Sequence, residues 1–211
     1  GGGLAGPPVP GESLPLAPFS VRPEGWGEFL CGVFDEWVSR DVGRVFVQTF
    51  EATVRNWLGL PSSGMCVFDT ICGPGLALEH NGDVYACDHC VYPQYRLGNI
   101  LTGTLQEMAV RSLKSGFGVT KETALPRRCR ECDVLAACRG GCPKHRFTNT
   151  FDDEPGLHYL CEGYRKYFLH IRKYLRVMAQ LLEHGQPVSL VMEALKGPLV
   201  IAKGEGGGQF S

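Results

Sequence analysis

Apolar residues recur at helical steps near both ends of this chain, while turn residues and cysteines fill its middle. Tyr164, Phe168, Ile171, Leu175, Met178 and Leu182 are spaced by 4, 3, 4, 3 and 4. That rhythm predicts a long amphipathic helix over about 160–184, closed by Gly185 and Pro187. Trp26, Phe29, Leu30, Phe34 and Trp37 mark a second apolar face and predict a helix over 24–41. Between them, Arg44 to Phe50 is rich in β-branched and aromatic residues and reads as a strand. Glu51 to Leu58 reads as a short helix stopped by Gly59 and Pro61. Helix, strand, helix makes about one α/β unit, too little to cover both faces of its strand. A shorter apolar stretch lies at 188–195.

The pattern changes at Gly64. Leu76 to His80 and Asp83 to Cys87 flank Asn81-Gly82, a pair that predicts a two-residue hairpin loop because both types tolerate positive φ. Thr104, with Glu107 three residues on, predicts a capping box at the start of a helix over 104–115. Residues 1–23 hold six of the 14 prolines and read as a flexible lead-in. Residues 204–211 are Gly-rich and read as a loose tail. No repeat of solenoid length is present.

Composition narrows the function. With 44% hydrophobic and 20% charged residues, the 211-residue chain can build a packed core. A net charge of −1 gives no electrostatic case for nucleic acid or an anionic membrane. No apolar run reaches the ~18–20 residues of a membrane span, and no secretory signal is visible. A cytoplasmic setting is therefore expected, in which ten cysteines point to metal ligation rather than disulfides. The chain opens on Gly1-Gly2-Gly3 rather than Met, which fits a processed product or an incomplete reading frame alike.

Cys129-x2-Cys132-x5-Cys138-x3-Cys142 places four thiols within 14 residues, close enough to converge on one inorganic centre. Tetrahedral sulfur ligation suits zinc or an iron–sulfur cluster. Cys66-x5-Cys72 and, beyond Gly82, Cys87 form a second set, with Cys161 at the root of the long helix. Eight thiolates suffice for two four-ligand sites, so spacing also permits a zinc-binding, protein- or peptide-recognition module with two four-thiolate sites.

Cys72-x9-Gly82-x4-Cys87, the run from Cys129 to Cys142, and Cys161 resemble the seven-cysteine pattern of the SPASM domain of radical S-adenosylmethionine (SAM) enzymes. Phe34-Asp35-Glu36-Trp37-Val38, Asp41 to Gln48, Leu76 to Asp83 and Cys87-Asp88-His89 resemble the C-terminal half of the anaerobic sulfatase-maturating enzymes, over about residues 20 to 190. The resemblance implies an α+β fold: a small cysteine-rich domain with a β-hairpin and a long C-terminal helix, preceded by the last α/β elements of a truncated (β/α) partial barrel. The units expected are the lead-in at 1–23, the barrel remnant at 24–62, a twin-cluster domain at 63–161, a helical segment at 162–203 and the tail at 204–211.

The resemblance further implies two auxiliary [4Fe-4S] clusters. Cys66, Cys72, Cys87 and Cys142 would hold one; Cys129, Cys132, Cys138 and Cys161 would hold the other. Asp88 would be the base that takes the side-chain proton as a Cys or Ser of a sulfatase-derived peptide is oxidised to formylglycine. A dry cavity beside a negative cluster would raise its pKa. The surplus electron would leave through the clusters to an acceptor.

SAM and a third [4Fe-4S] cluster would belong to an intact parent enzyme only, because these 211 residues contain no C-x3-C-x2-C triad. Cys138-x3-Cys142-x2-His145 mimics one but uses cysteines of the longer pattern. Arg127, Arg128, Arg130, Arg139, Lys144 and Arg146 are expected either to offset cluster charge or to form a solvated loop. Cys31 reads as buried packing, Cys90 as a bystander near the cluster, and His89 as packing or a partner of the site.

Overall fold

A computed structural model describes residues 16–60, 64–73 and 75–194. The lead-in up to residue 15, the tail and Pro61 lie outside the described residues. Helix α1 runs Pro23–Arg40 and α2 Gln48–Trp57. Strands β1 (Ala77–Leu78), β2 (Asp83–Tyr85) and β3 (Arg96–Asn99) form an antiparallel sheet in that order. Next come α3 (Leu105–Lys114) and three single-turn helices: α4 (Thr120–Thr123), α5 (Arg127–Arg130) and α6 (Leu135–Cys138). A two-stranded ribbon of β4 (Thr148–Asn149) and β5 (Pro155–Leu157) precedes the long α7 (Cys161–Glu183) and the short α8 (Val191–Ala194). The class is α+β, with the hairpin and the long helix as expected.

The helices α1, α2, α7 and α8 share the main core. Leu30, Phe34, Trp37 and Val38 of α1 meet Tyr167, Phe168, Ile171, Leu175, Met178 and Leu181 of α7, with Phe50 and Val54 from α2 and Val191 from α8. Aromatic edges interlock at its centre: Phe34 packs against Phe50 at 5.2 Å and Tyr167 at 6.0 Å, both T-shaped. The buried stripe of α7 is wider than its sequence spacing indicated. It takes in Tyr167, Tyr174 and Leu181, whereas Leu182 is exposed. A smaller core of Val84, Ala86, Leu97 and Met108 seats α3 on the sheet. No helix among the described residues is long and apolar enough to cross a membrane.

Two local expectations are corrected. The strand at Arg44–Phe50 does not form. Its first half is a turn and coil whose Val45 carbonyl accepts the Trp37 indole N–H at 2.9 Å, and α2 starts at Gln48. Beta propensity had no strand to pair with there, while helical Phe50 and Val54 gained burial in the core. The hairpin loop is also one residue longer than predicted. Glu79 N–H bonds the Asp83 carbonyl, so His80, Asn81 and Gly82 form the loop, and among them only Gly82 has positive φ. Asn81 instead accepts the Asp83 N–H through its side chain at 3.0 Å. The capping box holds as expected, with Thr104 N–H to Glu107 Oε2 at 3.0 Å and Glu107 N–H to Thr104 Oγ1 at 3.3 Å.

The crossing of α1 and α7 depends on two glycines. A Cβ on Gly27 would lie 2.9 Å from the Gly163 Cα, and one on Gly163 would run into the Pro23 carbonyl oxygen. Gly163→Ala is expected to destabilise the chain by roughly 1–3 kcal/mol through overpacking, lowering the denaturant midpoint. An unchanged midpoint would contradict this close crossing.

Candidate metal centres

All ten cysteines are free thiols, and no pair is bridged. The disulfide alternative therefore has no support in the structure. Electrostatic contacts and the lining of one cavity divide eight of the thiols into two sets, with Cys90 beside the first. Cys66 opens a tight turn after Met65, and Cys72 is tied to the α3–α4 connection by its N–H to the Gly118 carbonyl at 3.1 Å. Cys87 follows β2, and Cys142 comes just after Gly141. These four thiols are electrostatic neighbours: burial pushes Cys66, Cys72 and Cys142 up, Cys72 to about 11, and charge on the other group members pushes the same way.

The second group comprises Cys129 in α5, Cys132 after it, Cys138 at the end of α6 and Cys161 at the start of α7. All four line a single cavity of about 370 Å³. Burial holds Cys138 and Cys161 up at about 12, with Cys129 repelling both. Such thiols give up their protons to a positively charged centre, so ligation here releases protons.

The chain reverses between the two groups. Arg139, Gly140 and Gly141 have φ of 52°, 71° and 65°, three left-handed residues in succession. They separate Cys138, in one group, from Cys142, in the other, so the triad-like Cys138-x3-Cys142-x2-His145 is not one site. A Cβ on Gly140 would meet Leu125 and lie 2.9 Å from Arg146 Nη2; one on Gly141 would strike the His158 ring.

Of the six basic residues noted in the sequence, Arg146 is the one that is buried. Its guanidinium donates to the carbonyls of Arg139 (3.2 Å), Gly140 (2.9 Å), Gly141 (3.1 Å) and Lys121 (2.7 Å). Thiols of both groups act on its charge: Cys129 and Cys138 from one, Cys142 and Cys72 from the other. Arg127, Arg128 and Arg130 instead make ion pairs with Asp152, Glu162 and Glu154.

Lys121 was not visible as a functional residue in the sequence. It is fully buried, and its Nζ donates to the carbonyls of Cys66 (2.6 Å), Val67 (3.1 Å) and Asp69, fixing the turn that carries Cys66. Nothing in its flanking sequence signals burial, because its partners are backbone atoms more than 50 positions away.

Asp88 is exposed, at the start of a 3-10 turn, with its Oδ1 3.4 Å from Cys87 Sγ. The expected dry cavity is not present around it. Its pKa is lowered, chiefly by the hydrogen bond from the Cys87 thiol, rather than raised. His89 touches the first group directly, with Nδ1 3.4 Å from Cys142 Sγ. Cys90 is buried, and its thiol hydrogen-bonds Cys87, which brings Cys87 down to about 7 and pushes Cys90 up. Cys31 is only half-buried, against the main core.

Four thiols that line one cavity suit a thiolate-ligated centre, either tetrahedral zinc or an iron–sulfur cluster. A four-iron cluster holds its thiolates farther apart around its own volume, and the second group surrounds such a space. His158 adds an independent sign. It is 5% exposed, lines this cavity, and its Nε2 has no hydrogen-bond partner, at a cost of roughly 1–3 kcal/mol if left unpaired.

Residues 72–133 match the SPASM family, an iron–sulfur cluster-binding domain. The chain is 50% identical over 186 residues to a serine-type anaerobic sulfatase-maturating enzyme of Bacteroides thetaiotaomicron, covering 88% of this chain and 45% of that protein. It is 30% identical over 157 residues to the cysteine-type enzyme of Clostridium perfringens, covering 71% and 40%. The solved structure of native anSMEcpe with bound AdoMet superposes with a TM-score of 0.68 at 26% identity, over 80% of this chain and 46% of that one. A second, with AdoMet and the Kp18Cys peptide, gives 0.67. The chain is thus similar to anaerobic sulfatase-maturating enzymes over most of its own length, and it spans less than half the length of these relatives.

Lys121→Met would leave three carbonyls around Cys66 without their charged donor. The expected loss is roughly 2–4 kcal/mol, measured as a lower midpoint of chemical unfolding; a midpoint within error of wild type would refute the capping role.

Proposed function

We propose that this chain is the auxiliary-cluster portion of a radical SAM enzyme that oxidises a Cys or Ser of a sulfatase-derived peptide to formylglycine. The observation that carries the proposal is the division of eight thiols into two sets, one lining a cavity, within a chain whose relatives mature sulfatases. In this reading Cys66, Cys72, Cys87 and Cys142 hold one [4Fe-4S] cluster, and Cys129, Cys132, Cys138 and Cys161 hold the second. Such clusters, when bound, take up and pass on single electrons. The units in this reading are 24–62 as the end of the catalytic portion, 63–161 as the twin-cluster domain and 162–203 as the C-terminal segment, of which residues 195–203 lie outside the described residues.

The chain's own residues then have defined tasks. Arg146 and Lys121 place two buried positive charges beside thiolate groups that would otherwise repel one another. Asp88, directly after ligand Cys87, accepts the proton of the substrate thiol or hydroxyl at a carboxylate oxygen. Its exposure in this chain leaves it accessible to a peptide. Burial beneath the peptide and the remainder of the enzyme supplies the desolvation that brings a carboxylate nearer the working pH. The relatives' peptide and AdoMet complexes support a peptide substrate and a SAM-binding portion outside these 211 residues. The electron leaves to an acceptor, and the free thiols suit a reducing, cytoplasmic setting.

Anaerobic reconstitution followed by iron and acid-labile sulfide analysis tests the proposal. About eight of each per chain, a brown colour and no SAM cleavage are expected; a colourless chain holding zinc without sulfide would refute it. Cys72→Ala and Cys132→Ala should each remove about half of the iron, and Cys90→Ala should leave it intact. In a full-length enzyme carrying these residues, Asp88→Asn should retain all iron yet slow peptide oxidation by roughly 10²–10⁴-fold.

A further inference from the structure

Resting on the cluster reading above, we infer that His158 donates a hydrogen bond from Nε2 to a sulfur of the cluster held by Cys129, Cys132, Cys138 and Cys161, and so sets that cluster's potential. The tautomer follows from one contact: the Leu160 backbone N–H donates to Nδ1 at 3.0 Å, so Nδ1 is the acceptor and the ring proton sits on Nε2.

The ring has little freedom to turn away. Tyr159 stacks on it at 5.6 Å and 10°, while Tyr164 and His145 meet it edge-on, both at 5.4 Å. Its Cδ2–Nε2 edge lies over Gly141, where a Cβ would come within 3.0 Å of Nε2. A side chain at 141 would therefore displace this edge. Nε2 is buried and has no hydrogen-bond partner among the described residues, and the ring forms part of the cavity wall beside the four thiols. A buried, unpartnered N–H donor on a ring that lines a cavity shared with four thiols is suited to a sulfur acceptor. Donation to sulfur stabilises the more negative, reduced state and raises the potential.

The test uses the 211-residue chain reconstituted anaerobically with iron and sulfide, labelled with ¹⁵N-histidine and examined in the reduced state by pulsed EPR. The wild type is expected to show a ¹⁵N coupling on one cluster that disappears in His158→Gln. In redox titrations followed by EPR, His158→Phe, which keeps the aromatic stack but has no donor, should move that cluster to a more negative potential with unchanged iron content. His158→Gln, which supplies an N–H near the same place, should restore most of the shift.

A coupling that persists in His158→Gln, or equal potentials in wild type and His158→Phe, would overturn the inference. Should the Phe variant fail to take up iron, the comparison of labelled wild type with His158→Gln decides. Should both variants fail, the labelled His89→Gln chain decides: a surviving coupling supports the inference and its absence overturns it. A wild-type chain that binds no iron and sulfide would instead overturn the cluster reading, and this inference with it.

Discussion

The architecture of the cysteine-rich region depends on one buried cation. Arg146 sits where the chain passes from one thiol group to the other, and the backbone curls around it. Three successive left-handed residues present their carbonyls to its guanidinium, with a fourth carbonyl from Lys121. A left-handed run is unfavourable for Arg139 and tolerable for Gly140 and Gly141. Four charge-assisted hydrogen bonds compensate that bias. The result is a reversal tight enough to place Cys138 and Cys142, only four positions apart, in different groups.

Electrostatics and packing are linked through that reversal. The carbonyls satisfy the donors of Arg146 but do not neutralise it, and thiols of both groups act on its charge. Lys121 has the same design: its ammonium is spent on backbone carbonyls around Cys66, while Cys72 and Cys66 act on its charge. Two buried cations whose hydrogen bonds go to backbone carbonyls are costly in an ordinary core. They are reasonable beside groups that become anionic on ligation. The helical layer of α1, α2 and α7 supplies rigidity from the side: α7 begins at Cys161, and Tyr164, one turn on, bridges the His158 ring to the main core through Phe68 and Phe168.

Local chemistry was the part of the fold that could be read from the chain. The capping box at Thr104, the long helix ending at Gly185 and the existence of a hairpin at Gly82 each follow from interactions between residues a few positions apart. Where the outcome depended on a distant partner, local reading erred. Arg44 to Phe50 had strand composition but no strand to join, and Trp37 captured Val45 instead. Tyr167, Tyr174 and Leu181 were hidden because a helix packed on two sides buries a broader arc than one stripe. The exposure of Asp88 in this chain was likewise not legible, because exposure is set by whatever covers a residue, which its flanking sequence does not encode.

The sequence by itself determined the chemistry available: eight well-spaced thiols, the glycines that permit a left-handed reversal, and an aspartate following a cysteine. Only the tertiary structure decided how those parts are shared out. Spacing makes Cys129 to Cys142 look like a single four-thiol site, but beyond the turn around Arg146 Cys142 neighbours Cys66, Cys72 and Cys87, while Cys161 lines the same cavity as Cys129, Cys132 and Cys138. Likewise only the folded chain brings Lys121 to the turn of Cys66 and His158 to the cavity of the later thiols, since burial and an unpartnered donor are properties of surroundings assembled from distant segments. The reason is that ligation and hydrogen bonding act over a few ångströms in space, whatever the separation along the chain.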